Sequence, residues 1–436
     1  MTKYYKTGGF LLACMLCLNA IAQSNGTSSS YSRFGLGILE NQAQGFNKGM
    51  GGVGLGYRAG NRINTLNPAS YSAIDSVTIL VDAGMSVALG NMKQNGTSLN
   101  IYQCKLDYVT IGLRLYRNLG LSAGFMPFTS VGYNFTTTER VSTDPYSGNI
   151  NTSTVNYAGE GGLHQAYLGL GYKLYKELSV GANASFIWGS YAHTLLQTYS
   201  TGTSSGLNSL EGAEIRTWKL DMGVQYPVRL TKTDLLTLGA TASIGHKIKN
   251  EAQLSRFTDT EEGTPIDTVK NAFDLPYTYG IGATWKRKEN LTVGLDFKQE
   301  FWGSCRMPAA TATGASSKFV SKTGLFKNRT KIAAGAQFIP NPYDRHYWKR
   351  IQYRIGASYS TPYLVVNGQD GPREISLTAG FGLPITNAIN NRSIINVGVE
   401  WLRRAPSSSN MITENYVMLN LGITFNEAWF MKYKIQ

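Results

Sequence analysis

Gly45–Ser70 reads GFNKGMGGVGLGYRAGNRINTLNPAS, and the fold turns on what this stretch is for. It shows neither the 3.6-residue period of a helix nor the two-residue period of a strand. Gly49, Gly51 and Gly54 fit the spacing G-x-G-x-x-G. A dinucleotide site needs a strand before that motif and a helix after it, and neither pattern is present. The glycines, with Gly52 among them, instead suit a backbone that packs closely and takes positive φ. The stretch ends in Asn67-Pro68-Ala69, a turn signal.

Downstream of Val77 the chain changes character. Fourteen runs of strand-like sequence follow, at about 77–89, 100–116, 119–141, 161–176, 177–199, 213–229, 234–257, 272–287, 290–303, 325–340, 349–363, 373–385, 392–404 and 414–427. In many of them one face is greasy and the other small or polar. Val109, Ile111, Leu113 and Leu115 oppose Tyr108, Thr110, Gly112 and Arg114; Val417, Leu419, Leu421 and Ile423 oppose Tyr416, Met418, Asn420 and Gly422. The polar face is rich in Gly, Ser and Thr and poor in charge, which suits a filled lumen better than open water. Short turns such as Arg117-Asn118 and Lys288-Glu289 alternate with the long connections Ser142–Glu160, Thr258–Asn271 and Ser304–Gly324. An even strand number with alternately short and long connections is the pattern of an outer-membrane barrel. The expectation is an all-β, 14-stranded antiparallel transmembrane β-barrel, with Gly45–Ser70 folded into its lumen as a hatch and both termini on the periplasmic side.

Upstream, Lys3 and Lys6 precede an apolar run, Gly8–Leu18, and a small-x-small site at Ala20-Ile21-Ala22. This predicts a signal peptide over 1–22, an N-terminal segment and hatch over 23–76, and a barrel over 77–436. No later window is long and apolar enough for a transmembrane helix. The net charge of +14 falls to +12 once Lys3 and Lys6 are removed. A basic exported barrel has outer-membrane lipids and lipopolysaccharide as natural partners. Cys104 and Cys305 remain, about seven strands apart, and are expected as free thiols.

The chemistry of an enzyme is not visible. His164, His193, His246 and His346 are scattered without metal-ligand spacing, and no G-x-S-x-G elbow is present. Neither catalytic residue, metal nor cofactor is expected, and no recognition element for nucleic acid is evident. Charges on the inward faces are mixed: Lys219, Asp221, Asp296, Lys298, Glu300 and Glu400. They read as ion pairs bracing a filled lumen rather than as a clamp for one ligand.

With these residues in view, the chain resembles the FadL/TodX type of outer-membrane protein in a form seen in Bacteroidota. The resemblance rests on the glycine-rich stretch running into Asn67-Pro68-Ala69, on LGLSAGFMPFTSVGY (Leu119–Tyr133) and on the strand count. It implies a hatch inside the barrel and a kink in the third strand at Gly124, Pro127 and Phe128. There the Asn67 turn would pack beside a lateral opening. It also implies passive uptake of a hydrophobic small molecule such as a fatty acid. A second implication comes from accessory barrels of the same type in that phylum, such as BamF of the barrel-assembly machinery and a shuttle in a protein-secretion system. On this reading the protein is a non-transporting scaffold that meets an assembly barrel and surface lipoproteins.

Overall fold

The computed structural model describes residues 27–143, 150–200, 206–258, 266–310, 318–385 and 393–428. The expected signal peptide lies outside these residues.

Alternation does what the sequence predicts. Val109, Ile111 and Leu115 are exposed on the outer face, whereas Tyr108, Thr110 and Gly112 are buried. The same pattern repeats round a closed antiparallel barrel of fourteen strands. These are β1 (Thr78–Gln94), β2 (Thr97–Tyr116), β3 (Leu119–Thr143), β4 (Ile150–Tyr175), β5 (Leu178–Tyr199) and β6 (Leu207–Arg229). Next come β7 (Asp234–Ser243 and Glu251–Thr258), β8 (Ile266–Lys270 and Thr278–Arg287) and β9 (Leu291–Glu300). The circuit ends with β10 (Arg329–Phe338), β11 (Gln352–Ser360), β12 (Arg373–Pro384), β13 (Ile394–Ala405) and β14 (Thr413–Ala428). β14 pairs with β1 from Thr78↔Ala428 to Lys93↔Thr413 and closes the circle.

Strand lengths are uneven. β3–β6 have 22–26 residues, and β9–β13 have 9–12. A transmembrane strand needs about 9–11 residues. At about 3.3 Å per residue, β4 is roughly 85 Å long. One wall therefore stands well beyond the bilayer at the end that carries the long connections. The expected loop over Ser142–Glu160 is largely strand for this reason. Ile150, Thr152, Thr154, Val155 and Tyr157 favour extended structure, but outside lipid they need no greasy face to announce it.

The run 234–257 is not one unbroken strand. Gly245 lies against the backbone of Pro276 and Tyr277, where a Cβ would overlap it. β7 and β8 tuck inward there, and His246–Ile248 pairs with Phe273–Leu275. Ile248 and Phe273 are fully buried as a result. Opposite this tuck, Glu214–Leu220 of β6 lies outside the β6–β7 ladder, which resumes on either side.

Candidate functional site

Residues 44–74 lie inside the barrel, and Phe46, Met50, Val53, Ile63, Tyr71 and Ile74 are fully buried. A single helical turn, Gly45–Lys48, opens this inner segment. Gly51 and Gly52 then take φ of 70° and 82°, which turns the chain back. Gly49 closes the helical turn. The Gly51 N–H donates to Thr378 Oγ1 at 2.9 Å, and the Gly54 and Leu55 N–H groups donate to Asp296 Oδ2 at 2.7 and 2.9 Å. Asp296 is thus held by the inner segment and not by an ion pair with Lys298. Room for this backbone comes from glycines of the wall. A Cβ at Gly239 would overlap the Leu55 carbonyl oxygen, and one at Gly356 would overlap Met50 and Gly51.

Asn67 caps the short turn Pro68–Ala73: its Oδ1 accepts from the Ala69 N–H, and its Nδ2 donates to the carbonyls of Leu55 and Val224. The turn packs on Gly171, Gly181 and Gly223 of β4–β6. Tyr71 of the turn also lies against Gly120 of β3 and shares a buried cluster with Met126, the residue before Pro127, so the turn reaches the third strand.

Segment 38–42 occupies the place beside Pro127. The ladder between β2 and β3 runs only from Tyr116↔Leu119 to Val109↔Phe125. Gly124 sits within it, between Thr110 and Tyr167. At Pro127 the register with β4 slips by one residue, and β3 departs from β2. Proline offers no N–H, so the kink leaves no donor stranded at that position. Ile38–Leu39 pairs with Ser130–Thr129; the Glu40 N–H donates to the Phe128 carbonyl at 3.0 Å and Gln42 Nε2 to that of Pro127 at 2.8 Å. Glu40 also forms an ion pair with Lys105 of β2, across the gap. Burial alone would raise the Glu40 carboxyl pKa. The Lys105 ammonium more than offsets this, with help from Ser130 and Lys48, and holds it below the ordinary carboxylate range.

Between the inner segment and the long-loop end lies a cavity of about 250 Å³, lined by charged and polar groups and also by apolar side chains, among them Leu39, Leu55, Phe128, Leu275, Trp302 and Leu402. Lys219 pairs with Asp221 at 2.5 Å, and Lys298 with Glu300 at 2.9 Å. Glu400 accepts from Ser376 Oγ at 2.7 Å and Asn420 Nδ2 at 3.4 Å. The pairing extends to residues the sequence did not single out. Arg329 reaches Glu300 and Glu374, and Arg404 reaches Glu374 and Glu414. Glu414, fully buried, also accepts from the Ser30 N–H and from the hydroxyls of Ser29, Ser30 and Tyr416. Their signal was the polar face of each strand: Arg329 and Lys331 alternate with Ile332, and Glu374, Ser376 and Thr378 with Leu377. Toward the long loops, Trp302, Met307, Phe319, Phe326 and Leu364 bury themselves against Tyr31, Leu36 and Ile38.

Solved structures with this architecture include the Ralstonia pickettii toluene transporter TbuX, at 16% identity and TM-score 0.57, covering 87% of this chain and 97% of that one. The Pseudomonas putida toluene transporter TodX is 16% identical, with TM-score 0.56 over 91% and 100%. A Pseudomonas aeruginosa FadL homologue is 10% identical, with TM-score 0.59 over 90% and 99%. At these identities the likeness is one of fold. No curated relative matches the chain. A model of the BamG family, a barrel-assembly-related family, matches residues 4–436.

The chain belongs to the BamG family. It is a FadL-like outer-membrane β-barrel. Within this BamG-family barrel, Cys104 and Cys305 are not bridged.

Proposed function

We propose that the protein is a non-transporting, non-enzymatic accessory barrel of an outer-membrane assembly complex, standing beside a larger assembly barrel and its surface lipoproteins. The observation that carries this reading is the braced lumen. At the level where a conduit for an apolar molecule would run, the chain Glu300–Arg329–Glu374–Arg404–Glu414 crosses β9, β10, β12, β13 and β14. Apolar side chains line part of the same cavity, but an alkyl or aromatic ligand crossing that level meets buried ion pairs in place of lipid. Membership of the BamG family supports the same reading.

The test is gentle detergent extraction of tagged protein from its native membrane. A stoichiometric complex with a large barrel and lipoproteins is expected; a lone barrel carrying bound apolar molecules would overturn the proposal. A second reading, passive uptake of a hydrophobic molecule with exit near Gly124, Pro127 and Phe128, draws on the parted strands β2 and β3. It predicts that vesicles containing the purified barrel take up radiolabelled fatty acid faster than empty ones.

A further inference from the structure

Charge is unequally shared between the two ends of the barrel. The five short turns described, 116–118, 173–177, 229–234, 286–290 and 341–350, hold eleven Lys or Arg and four Asp or Glu. That surplus is half of the whole chain's +14. At the other end, the described connections 301–310, 318–328, 361–372 and 406–412 hold four basic residues and one acidic residue, a surplus of three against seven.

The basic residues form a ring and not a patch. Every one of the five turns contributes: Arg117, Lys176, Arg229, Arg287 and Arg345 are all exposed. They stand beside outward aromatics. Tyr116 is 76% exposed next to Arg117, and Tyr175 is 66% exposed next to Lys176. The longest turn is the most pronounced. Tyr343 and Trp348 are 80% and 73% exposed there, among Arg345, Lys349 and Arg350. Exposed aromatic rings at strand ends settle at the level of lipid headgroups, and flanking cations reach past them into the phosphate layer.

We propose that the short-turn end of the barrel binds anionic phospholipid headgroups, phosphodiesters carrying net negative charge, around its circumference. A protein partner would meet one arc of the ring and would leave the opposite arc unexplained. A planar charged surface meets all five turns at once. Each Lys or Arg near an anionic lipid surface adds to the attraction, which fades within a Debye length. The ion pairs Lys173–Glu177 and Lys349–Asp344 and the hydrogen bond from Tyr343 to Glu289 spend three of the four acids locally, leaving most of the ring's cations for lipid.

The test uses the full chain in nanodiscs of phosphatidylcholine alone and of phosphatidylcholine with one quarter phosphatidylglycerol. The expected result is a thermal unfolding midpoint higher by several degrees in the anionic discs, with the difference abolished by 1 M NaCl, on the order of a 3 Å Debye length. The variant combining Arg117→Gln, Lys176→Gln, Arg229→Gln, Arg287→Gln and Arg345→Gln should lose most of the difference while keeping its midpoint in neutral discs. A control combining Lys322→Gln and Lys327→Gln, at the other end, should keep it. Equal midpoints in the two lipids would overturn the proposal, as would a lipid effect that survives in the five-site variant. Should the ring serve an acidic protein instead, the parent would show no lipid dependence and the variant would lose a co-purifying partner.

Discussion

Two seams of the barrel invite comparison. Between β14 and β1, the strands furthest apart in sequence, sixteen residue pairs run without interruption. Between β2 and β3, joined by a two-residue turn, the ladder stops after seven. Proximity in the chain has not secured pairing. The first seam is closed by a continuous backbone ladder, with the buried Thr424 hydroxyl donating to Asp82 across it. The second is closed by a foreign strand, Ile38–Leu39, by the Phe128 and Pro127 carbonyls of β3 that accept from Glu40 and Gln42, and by one ion pair, Lys105–Glu40. A wall in lipid must satisfy its backbone, and this protein does so in two different ways.

The largest effect is expected at the first seam. Ile423 pairs with both Ala83 and Ile395, so Ile423→Pro removes a ladder donor in the middle of the closing strand. Loss of the folded, heat-modifiable band on a gel is the outcome anticipated. Next comes the brace along β9–β14. Glu374→Ala leaves Arg329 and Arg404 without their shared carboxylate, at a cost of about 3–5 kcal/mol for breaking a buried pair. A markedly lower denaturation midpoint should follow, and an unchanged one would show the network to be idle. Asn67→Ala removes the cap of the Pro68–Ala73 turn and should cost about 1–2 kcal/mol, read in the same assay.

The smallest effect concerns the filler alone. Since the Glu40 carboxyl lies below its usual range when folded, its contribution is complete above the ordinary carboxylate pKa and is lost only as pH falls through the lowered value. Amide exchange at Ile38–Leu39 should therefore be slow at neutral pH and should accelerate on strong acidification. Glu40→Gln should be fast at both. Exchange in that variant as slow as in the parent would mean that the ion pair does not hold the segment.

Much of the barrel was legible because lipid enforces a two-residue period: Val109, Ile111 and Leu115 could face only one way. Gly51 and Gly52 signalled an inner backbone, and Lys298 with Glu300 signalled a charged lumen. The rest was hidden for physical reasons. Arg329 meets Glu374 across 45 positions, and Arg404 meets it across 30, separations that no local pattern reports. The strand Ile38–Leu39 has two residues and so no period at all. The inward tuck of β7 and β8 keeps strand-like composition while leaving the main sheet, so Phe273 reads the same in either place.

A cylinder of even height presents one aspect to every neighbour. Here the rim climbs along β3–β6 and drops along β9–β13, so the molecule has a bearing in the plane of the membrane. A companion arriving from the low side can lean over the mouth; one arriving from the high side meets a screen. Whatever gathers around this barrel will do so in a fixed compass order.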